Sequence, residues 1–338
     1  MKHPLHWLSA LLLVAGLSQV SAGTLEEVRE RGVLRCGVNG ELPGLSFKDA
    51  AGNWTGIDVD FCRAVAAATL GRAEKVEFVP LDYAARFDAL RQGSVDLLSR
   101  NTTWTLSRDL DLGMIFTSVL YYDGQGFMTP RNNSILTALA LSGKRVCAIA
   151  DSTAPANAER YFKRNRMDLE LVLFEALDAA KDAYLAGKCD ALTADHSMLH
   201  SLRAAFGDAA AHRILPEVIS KEPLSPAVRR DDDRWFDIVR WTLFLMLDAE
   251  GSGIDSANVD QARARARTDE VRLLLDVDGR TSELLGLEKG WSYRIIQQVG
   301  NYAEVFDRNL GEQSPLKLKR GLNALWNQGG IMYAPPAR

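Results

Sequence analysis

Twice along the chain, short apolar segments of strand type alternate with longer stretches of helical periodicity, and an extended run separates the two sets. In the first set, strands are predicted at 33–38, 75–80 and 94–99, with helices at 59–70 and 84–92. A turn-rich loop (39–44) and a hairpin-like stretch around 51–56 follow its first strand. The second set opens near Gly143, with strands at 144–149, 169–174 and 191–193 and helices at 156–164, 176–186 and 197–205. Such alternation builds a mostly parallel sheet covered by helices, so the expected fold class is α/β, built twice.

Two extended passages flank the second set. Tyr121-Tyr122-Asp123-Gly124-Gln125-Gly126-Phe127-Met128 leads in, and Ile219-Ser220-Lys221-Glu222-Pro223-Leu224-Ser225-Pro226-Ala227-Val228-Arg229 leads out. The chain is therefore expected to build part of one lobe over 23–127, a second lobe over 128–224, and to return to the first over 225–338. The returning part holds an apolar helix at 235–247 and a helical, turn-rich tail from Gly251. Ligands of α/β sheets bind in crevices at the carboxyl ends of strands. Two such sheets facing each other across a hinge make a cleft that closes.

The N-terminus reads as an export signal. Lys2 precedes an apolar run from Trp7 to Leu17, and the small residues Val20-Ser21-Ala22 follow. The run is too short for a permanent membrane span, so residues 1–22 are expected to be a cleaved signal peptide. No Cys follows the small residues to mark a lipoprotein. Export makes disulfides the expected fate of the cysteines, and four of them allow three connectivities. Pairing near neighbours gives Cys36–Cys62 and Cys147–Cys189, one staple in each half. A Cys metal site is disfavoured, because no Cys-x-x-Cys and no clustered His accompany them.

Composition excludes some partners. The net charge is −4, with 47% hydrophobic and 25% charged residues and no basic run interleaved with aromatics, so nucleic acid is not expected. Gln261-Ala262-Arg263-Ala264-Arg265-Ala266-Arg267 reads as a charged helix face. No Ser-His-Asp arrangement, phosphate loop or cofactor motif is apparent, and no cofactor is expected. His196 and His200 share a helix face without a third ligand and read as structural or exposed. Trp54 and Trp104 read as anchors of core or loop. Asp58 and Asp60 open a helix, where carboxylates favour the dipole.

The segment richest in chemistry is Ser94-Val95-Asp96-Leu97-Leu98-Ser99-Arg100-Asn101-Thr102-Thr103-Trp104-Thr105-Leu106-Ser107-Arg108. A buried strand runs into backbone N–H groups, the Thr103 hydroxyl and the Arg108 guanidinium. That set suits a carboxylate, which Arg binds bidentately. A solvated loop with Arg108 at a helix end is the plain alternative.

These residues carry a family resemblance. The stretches 52–65, 98–108, 121–128, 219–228 and the ending Leu322-Asn323-Ala324-Leu325-Trp326…Gly329-Gly330-Ile331-Met332-Tyr333-Ala334-Pro335-Pro336 resemble solute-binding proteins of polar amino acid ABC importers, in the branch that binds general L-amino acids. The likeness spans nearly the whole mature chain. It implies a two-lobed periplasmic binding protein fold of type II, a monomer in the periplasm, an L-amino acid as ligand and an inner-membrane ABC permease as partner.

The resemblance also places roles. Arg108 corresponds to the clamp on the ligand α-carboxylate, with Thr103 donating nearby, and Asn101 to the position whose backbone carbonyl accepts from the α-ammonium. In lobe 2, Asp195 corresponds to the ammonium-binding carboxylate, and Ser152 and Thr153 to the loop that completes the carboxylate site. Leu42 and Leu45 stand where relatives often carry an aromatic over the ligand, and Tyr83 is expected on the opposite wall. Without an aromatic lid, broad specificity is expected. The lobe 2 loop departs from the family's Gly-Thr-Thr-Thr-Glu, reading Asp151-Ser152-Thr153-Ala154-Pro155. Turned inward at ~6 Å, Asp151 would repel a carboxylate by about 3 kcal/mol at an effective dielectric near 20; turned outward it is harmless and positioned to cap the following helix. Pro155 removes a backbone donor. A ligand sensor, and a dehydratase-like enzyme on the same fold, are the competing readings; the enzyme would need a positioned acid or base.

Overall fold

The computed structural model describes residues 23–337, and the expected signal peptide lies outside them. Lobe 1 is built on a five-stranded sheet in the spatial order Val76–Pro80, Leu34–Val38, Leu97–Leu98, Ala227–Arg229, Met114–Phe116. Strand Leu34–Val38 is parallel to both its neighbours, whereas Ala227–Arg229 runs antiparallel to its own. Lobe 2 repeats the arrangement in the order Leu169–Phe174, Lys144–Ile149, Ala191–Asp195, Gln125–Pro130, His212–Ile214. Here Lys144–Ile149 is parallel to both neighbours and Gln125–Pro130 is antiparallel to its own. In each lobe, then, one antiparallel strand of the sheet is supplied by a segment adjoining a crossing.

The two crossings pair with each other. Tyr121–Asp123 and Glu222–Leu224 form an antiparallel ribbon, with Asp123 opposite Glu222. This ribbon joins the lobes, and it puts residues of the leading and returning crossings side by side at the floor of the cleft. The loops after strands Leu97–Leu98, Lys144–Ile149 and Ala191–Asp195 leave the carboxyl ends of their strands and meet above it.

Local sequence explains the elements. Helix Ile57–Leu70 is apolar almost all round and correspondingly buried almost all round. Helices Trp291–Gln298 and Asp233–Gly251, from the returning part, pack against it. The helix starts at Gly56, whose φ of +128° and whose 2.1 Å distance from a would-be Cβ to the Leu45 carbonyl oxygen admit only glycine. Upstream, the hairpin-like stretch is a three-stranded ribbon of Glu41–Leu42, Ser46–Lys48 and Trp54–Thr55.

The C-terminal tail is tied to lobe 1 and to the hinge. Arg308 and Asn309 both bond Asp60, at 2.7 Å each. Asp60 thus anchors the tail, beyond any role at the helix dipole. The Asn323 side chain exchanges two hydrogen bonds with the backbone of Tyr122, and the Tyr302 hydroxyl donates to the Leu120 carbonyl at 2.8 Å. Cys36 is bonded to Cys62 within lobe 1 and Cys147 to Cys189 within lobe 2, the near-neighbour pairing. Each disulfide fastens a central strand to the segment packed beside it. Among the described residues no helix is long and apolar enough to cross a membrane.

Candidate functional site

Between the lobes lies a narrow cleft with a cavity volume of about 20 Å³. Tyr83, Asn101, Thr103 and Arg108 line it from lobe 1; Ser152, Thr153 and Asp195 line it from lobe 2. Leu42 is the exception among the residues expected there. It lies in the small ribbon opposite Ser46, is 0% exposed, and packs in the apolar core, as does Leu45. Tyr83 is on the wall, and its hydroxyl donates to the Met198 sulfur across the gap at 3.8 Å.

The lobe 1 wall is a rigid loop. Asn101 has φ of +39°, in the left-handed region that costs most residues energy but that Asn tolerates best. Asp58 holds the loop in that shape: its buried carboxylate accepts from the Ser99 hydroxyl at 2.8 Å and from the Asn101 N–H at 3.1 Å. Burial pushes the Asp58 carboxyl up to about 6, against the pull of those two donors. Among the described residues no backbone donor reaches the Asn101 carbonyl. Arg108 sits in the first turn of helix Leu106–Asp111, whose N-cap is Thr105. Its guanidinium donates to the Thr103 carbonyl at 3.0 Å, which fixes it beside the loop.

The lobe 2 wall differs in detail from expectation. The Ser152 hydroxyl is consumed locally, donating to the Ile149 carbonyl at 2.7 Å and accepting from the Ala154 N–H. The Thr153 and Thr103 hydroxyls are also taken, both by Glu222 Oε2, at 2.9 and 2.6 Å. Asp151 is exposed, so its side chain turns away from the cleft, and the cap it was positioned to supply to helix Ala154–Arg164 is not made. Pro155 falls in the first turn of that helix, where a missing N–H breaks no helical bond.

Asp195 ends strand Ala191–Asp195 and is 9% exposed. Among the described residues nothing donates to its carboxylate. Burial, then the Asp123 and Glu222 carboxylates, raise its pKa well above the ordinary value, and Arg108 opposes them. A buried carboxylate without a donor is costly, and a ligand cation relieves that cost.

Sequence reasoning overlooked four residues. Glu222 lies on the returning crossing and also accepts from Asn157 at 2.7 Å. Its signal was an acid directly before Pro223 in the extended run that leads out of the second set. Arg86 and Arg100 line the cleft beside Tyr83; Arg100 directly follows the strand and loop already singled out. Asp58 supports the Asn101 loop from a helix start. The two histidines face protein groups: His196 Nε2 meets the Glu217 carbonyl at 3.3 Å and His200 meets Arg203 at 3.3 Å. Trp104 stacks on Phe116, with centroids 5.8 Å apart, and Trp54 packs on Phe78 at 5.2 Å.

Comparison with known proteins adds four likenesses. A family model described as bacterial extracellular solute-binding proteins, family 3, matches residues 34–252. The general L-amino acid-binding periplasmic protein AapJ of Rhizobium johnstonii is 49% identical over 332 residues, covering 98% of this chain and 97% of that one. The glutamate/glutamine/aspartate/asparagine-binding protein BztA of Rhodobacter capsulatus is 45% identical and covers 96% of both chains. Among solved structures, an ABC transporter periplasmic binding protein from Brucella ovis with glutathione bound superposes with a TM-score of 0.92. It has 47% identity, covering 94% of this chain and 100% of that one.

Proposed function

Because the chain belongs to the bacterial extracellular solute-binding proteins of family 3, we propose that it captures a free L-amino acid between its lobes in the periplasm and delivers it to an inner-membrane ABC permease. Residues 1–22 then direct export and are removed, and the mature protein works as a monomer. The observation that carries this reading is that Arg108 and Asp195, from opposite lobes, line one cleft with no ion pair of their own among the described residues.

A zwitterion satisfies both. Its carboxylate takes the Arg108 fork together with N–H groups of the Thr103 and Thr153 loops, and its ammonium takes Asp195 and the Asn101 carbonyl. Each charge-assisted hydrogen bond contributes about 1.5–3 kcal/mol. Three or four of them, after association costs, reach the roughly −8 kcal/mol of a micromolar binder. Because the two ends are held by different lobes, the ligand's extra contacts exist only in the closed form, and binding shifts the population toward it.

Calorimetry with a panel of common L-amino acids tests the reading. Arg108→Ala and Asp195→Ala are each expected to lose most of the affinity; unchanged affinity in both ends this assignment. Turnover of aromatic precursors by the protein would instead favour an enzyme on the same fold.

A further inference from the structure

The hinge ribbon is bonded along both its edges. On the returning strand the Pro223 carbonyl accepts from the Trp104 N–H at 2.9 Å, and the Ser225 N–H donates to the Thr102 carbonyl at 3.0 Å. These bonds fix that strand to the ligand loop of lobe 1. On the leading strand the outer edge is Tyr122, whose partner across the ribbon is Pro223, a residue with no N–H to give. Left bare, such an edge presents a free N–H and a free C=O. The Asn323 side chain covers it as another strand would. Its Oδ1 accepts from the Tyr122 N–H at 2.6 Å, and its Nδ2 donates to the Tyr122 carbonyl at 3.0 Å.

Asn323 comes from the tail, beyond residue 252 where the family match ends, and is 3% exposed. Arg320 holds it in place. The Arg320 Nε donates to the Asn323 carbonyl at 2.9 Å, and a terminal nitrogen pairs at 3.1 Å with Glu250 on helix Asp233–Gly251 of lobe 1. The guanidinium also lies 5.1 and 5.0 Å from the Tyr302 and Phe306 ring centroids. A planar fork with a carboxylate on one side and aromatic rings on the other is held in one geometry.

The next residues are bonded to lobe 2. Asp123 Oδ2 accepts from the Ser197 N–H at 3.1 Å, and the Gly124 carbonyl accepts from the His196 N–H at 2.8 Å. On the returning crossing the Ile219 N–H donates to the Gln125 carbonyl at 2.8 Å, and Ser220 Oγ accepts from the Gln125 N–H at 3.2 Å. Bonding therefore switches lobes between Tyr122 and Asp123 on one crossing and between Ser220 and Pro223 on the other. The two crossings touch at this point: a Cβ on Gly124 would overlap the Val218 side chain and lie 3.0 Å from the Ser220 carbonyl oxygen.

Resting on the reading above that the lobes close on a ligand, we propose that Asn323 is a positioning residue of the hinge. By fixing Tyr122 to lobe 1, it confines the lobe motion to Asp123–Gly124 and Lys221–Glu222. Asn323 is no part of the cleft lining, so it acts on affinity only through the population of the closed form. Without it, Tyr122 exchanges its two bonds for water, the hinge lengthens, and the open ensemble gains conformations that closure must give up. The closed fraction enters every dissociation constant as the same multiplier, so all ligands weaken alike.

Calorimetry, small-angle scattering and amide exchange on the mature protein test this, with L-alanine, L-glutamine and L-glutamate as probes. Asn323→Ala is expected to weaken every probe that binds by one common factor, roughly five- to twentyfold. It is also expected to enlarge the ligand-free protein but not the ligand-saturated one. Asn323→Asp keeps an acceptor for the Tyr122 N–H and is expected to lose less. A role in lobe 1 stability alone would lower the unfolding midpoint and leave affinity and dimensions unchanged, and that result overturns the proposal. A loss that differs from probe to probe overturns it too. In the ligand-free wild type the Tyr122 amide is expected to exchange at least ~10-fold more slowly than the Gly124 amide. Equal rates overturn the proposal, and this comparison needs neither a folded variant nor a ligand. Failure of all three probes to bind ends the amino acid reading, while the exchange rates and the ligand-free dimensions still decide the hinge.

Discussion

Glu222 accepts the Thr103 hydroxyl at 2.6 Å, which ties the returning crossing directly to the ligand loop of lobe 1. The same oxygen takes the Thr153 hydroxyl of lobe 2 at 2.9 Å, and the other oxygen takes the Asn157 amide at 2.7 Å. Both lobes therefore meet on one carboxylate at the hinge, and separating them breaks bonds on at least one side. Glu222→Ala strands these three donors and the Ser220 hydroxyl, which also donates to Glu222, and is expected to lower ligand affinity roughly ten- to a hundredfold by weakening the closed form. Glu222→Gln keeps an acceptor and should lose less. Small-angle scattering, reading a more open ligand-free protein alongside calorimetry, checks this; equal affinity and equal dimensions would contradict it.

Asp195 gives the site a dependence on pH. Burial and the Asp123 and Glu222 carboxylates raise its pKa, so it takes up a proton at a higher pH than an ordinary Asp. A protonated Asp195 cannot pair with an ammonium. Affinity is expected to fall on acidification, earlier than ordinary Asp chemistry predicts, and binding in that range should release a proton. Calorimetry in buffers of different ionisation enthalpy detects the release, and Asp195→Asn should abolish it.

Asp58 has the opposite consequence for stability. Its carboxyl stands at about 6 in the fold against about 3.9 in an unfolded chain. Between these values the folded state binds more protons than the unfolded one, so the contribution of Asp58 to stability is fully present below the lower value. It is lost as pH rises through the upper one. The shift corresponds to a change on the order of 3 kcal/mol. Urea unfolding at pH 4 to 7 is expected to show this slope as the difference between wild type and Asp58→Asn; parallel profiles would refute it.

The disulfides lie in different lobes, close loops of different size, and should act independently. In the chain-entropy picture, removing Cys36–Cys62 (separation 26) costs about 3.5 kcal/mol and removing Cys147–Cys189 (separation 42) about 4 kcal/mol. Denaturation of the paired Cys→Ser variants, alone and combined, measures both values and their sum.

Much of this was legible before any coordinates. The strands Lys144–Ile149 and Leu169–Phe174 coincide with their predicted spans, and helix Ala154–Arg164 begins two residues before its predicted start. The reason is that short buried strands and amphipathic helices write their burial into local periodicity. Helix Thr24–Arg31 and strand Met114–Phe116 were not legible, being short and weakly patterned. Arg108 and Thr103 were read from their own segment as well as from resemblance, Asn101 and Asp195 came from resemblance alone, and the fold brings all four to one cleft.

What the chain's own order of residues decided was two α/β lobes, two extended crossings between them, and two cysteines in each half, because these follow from neighbours in sequence. What tertiary structure alone decided was which way side chains face. Leu42 turned into the core, Asp151 turned to solvent, and Glu222 came under Thr103 and Thr153, residues 119 and 69 positions away. Arg86 and Arg100 converged with Arg108 for the same reason. Side-chain direction at a loop is set by what packs behind it, and that packing is supplied by distant segments whose approach no local pattern encodes.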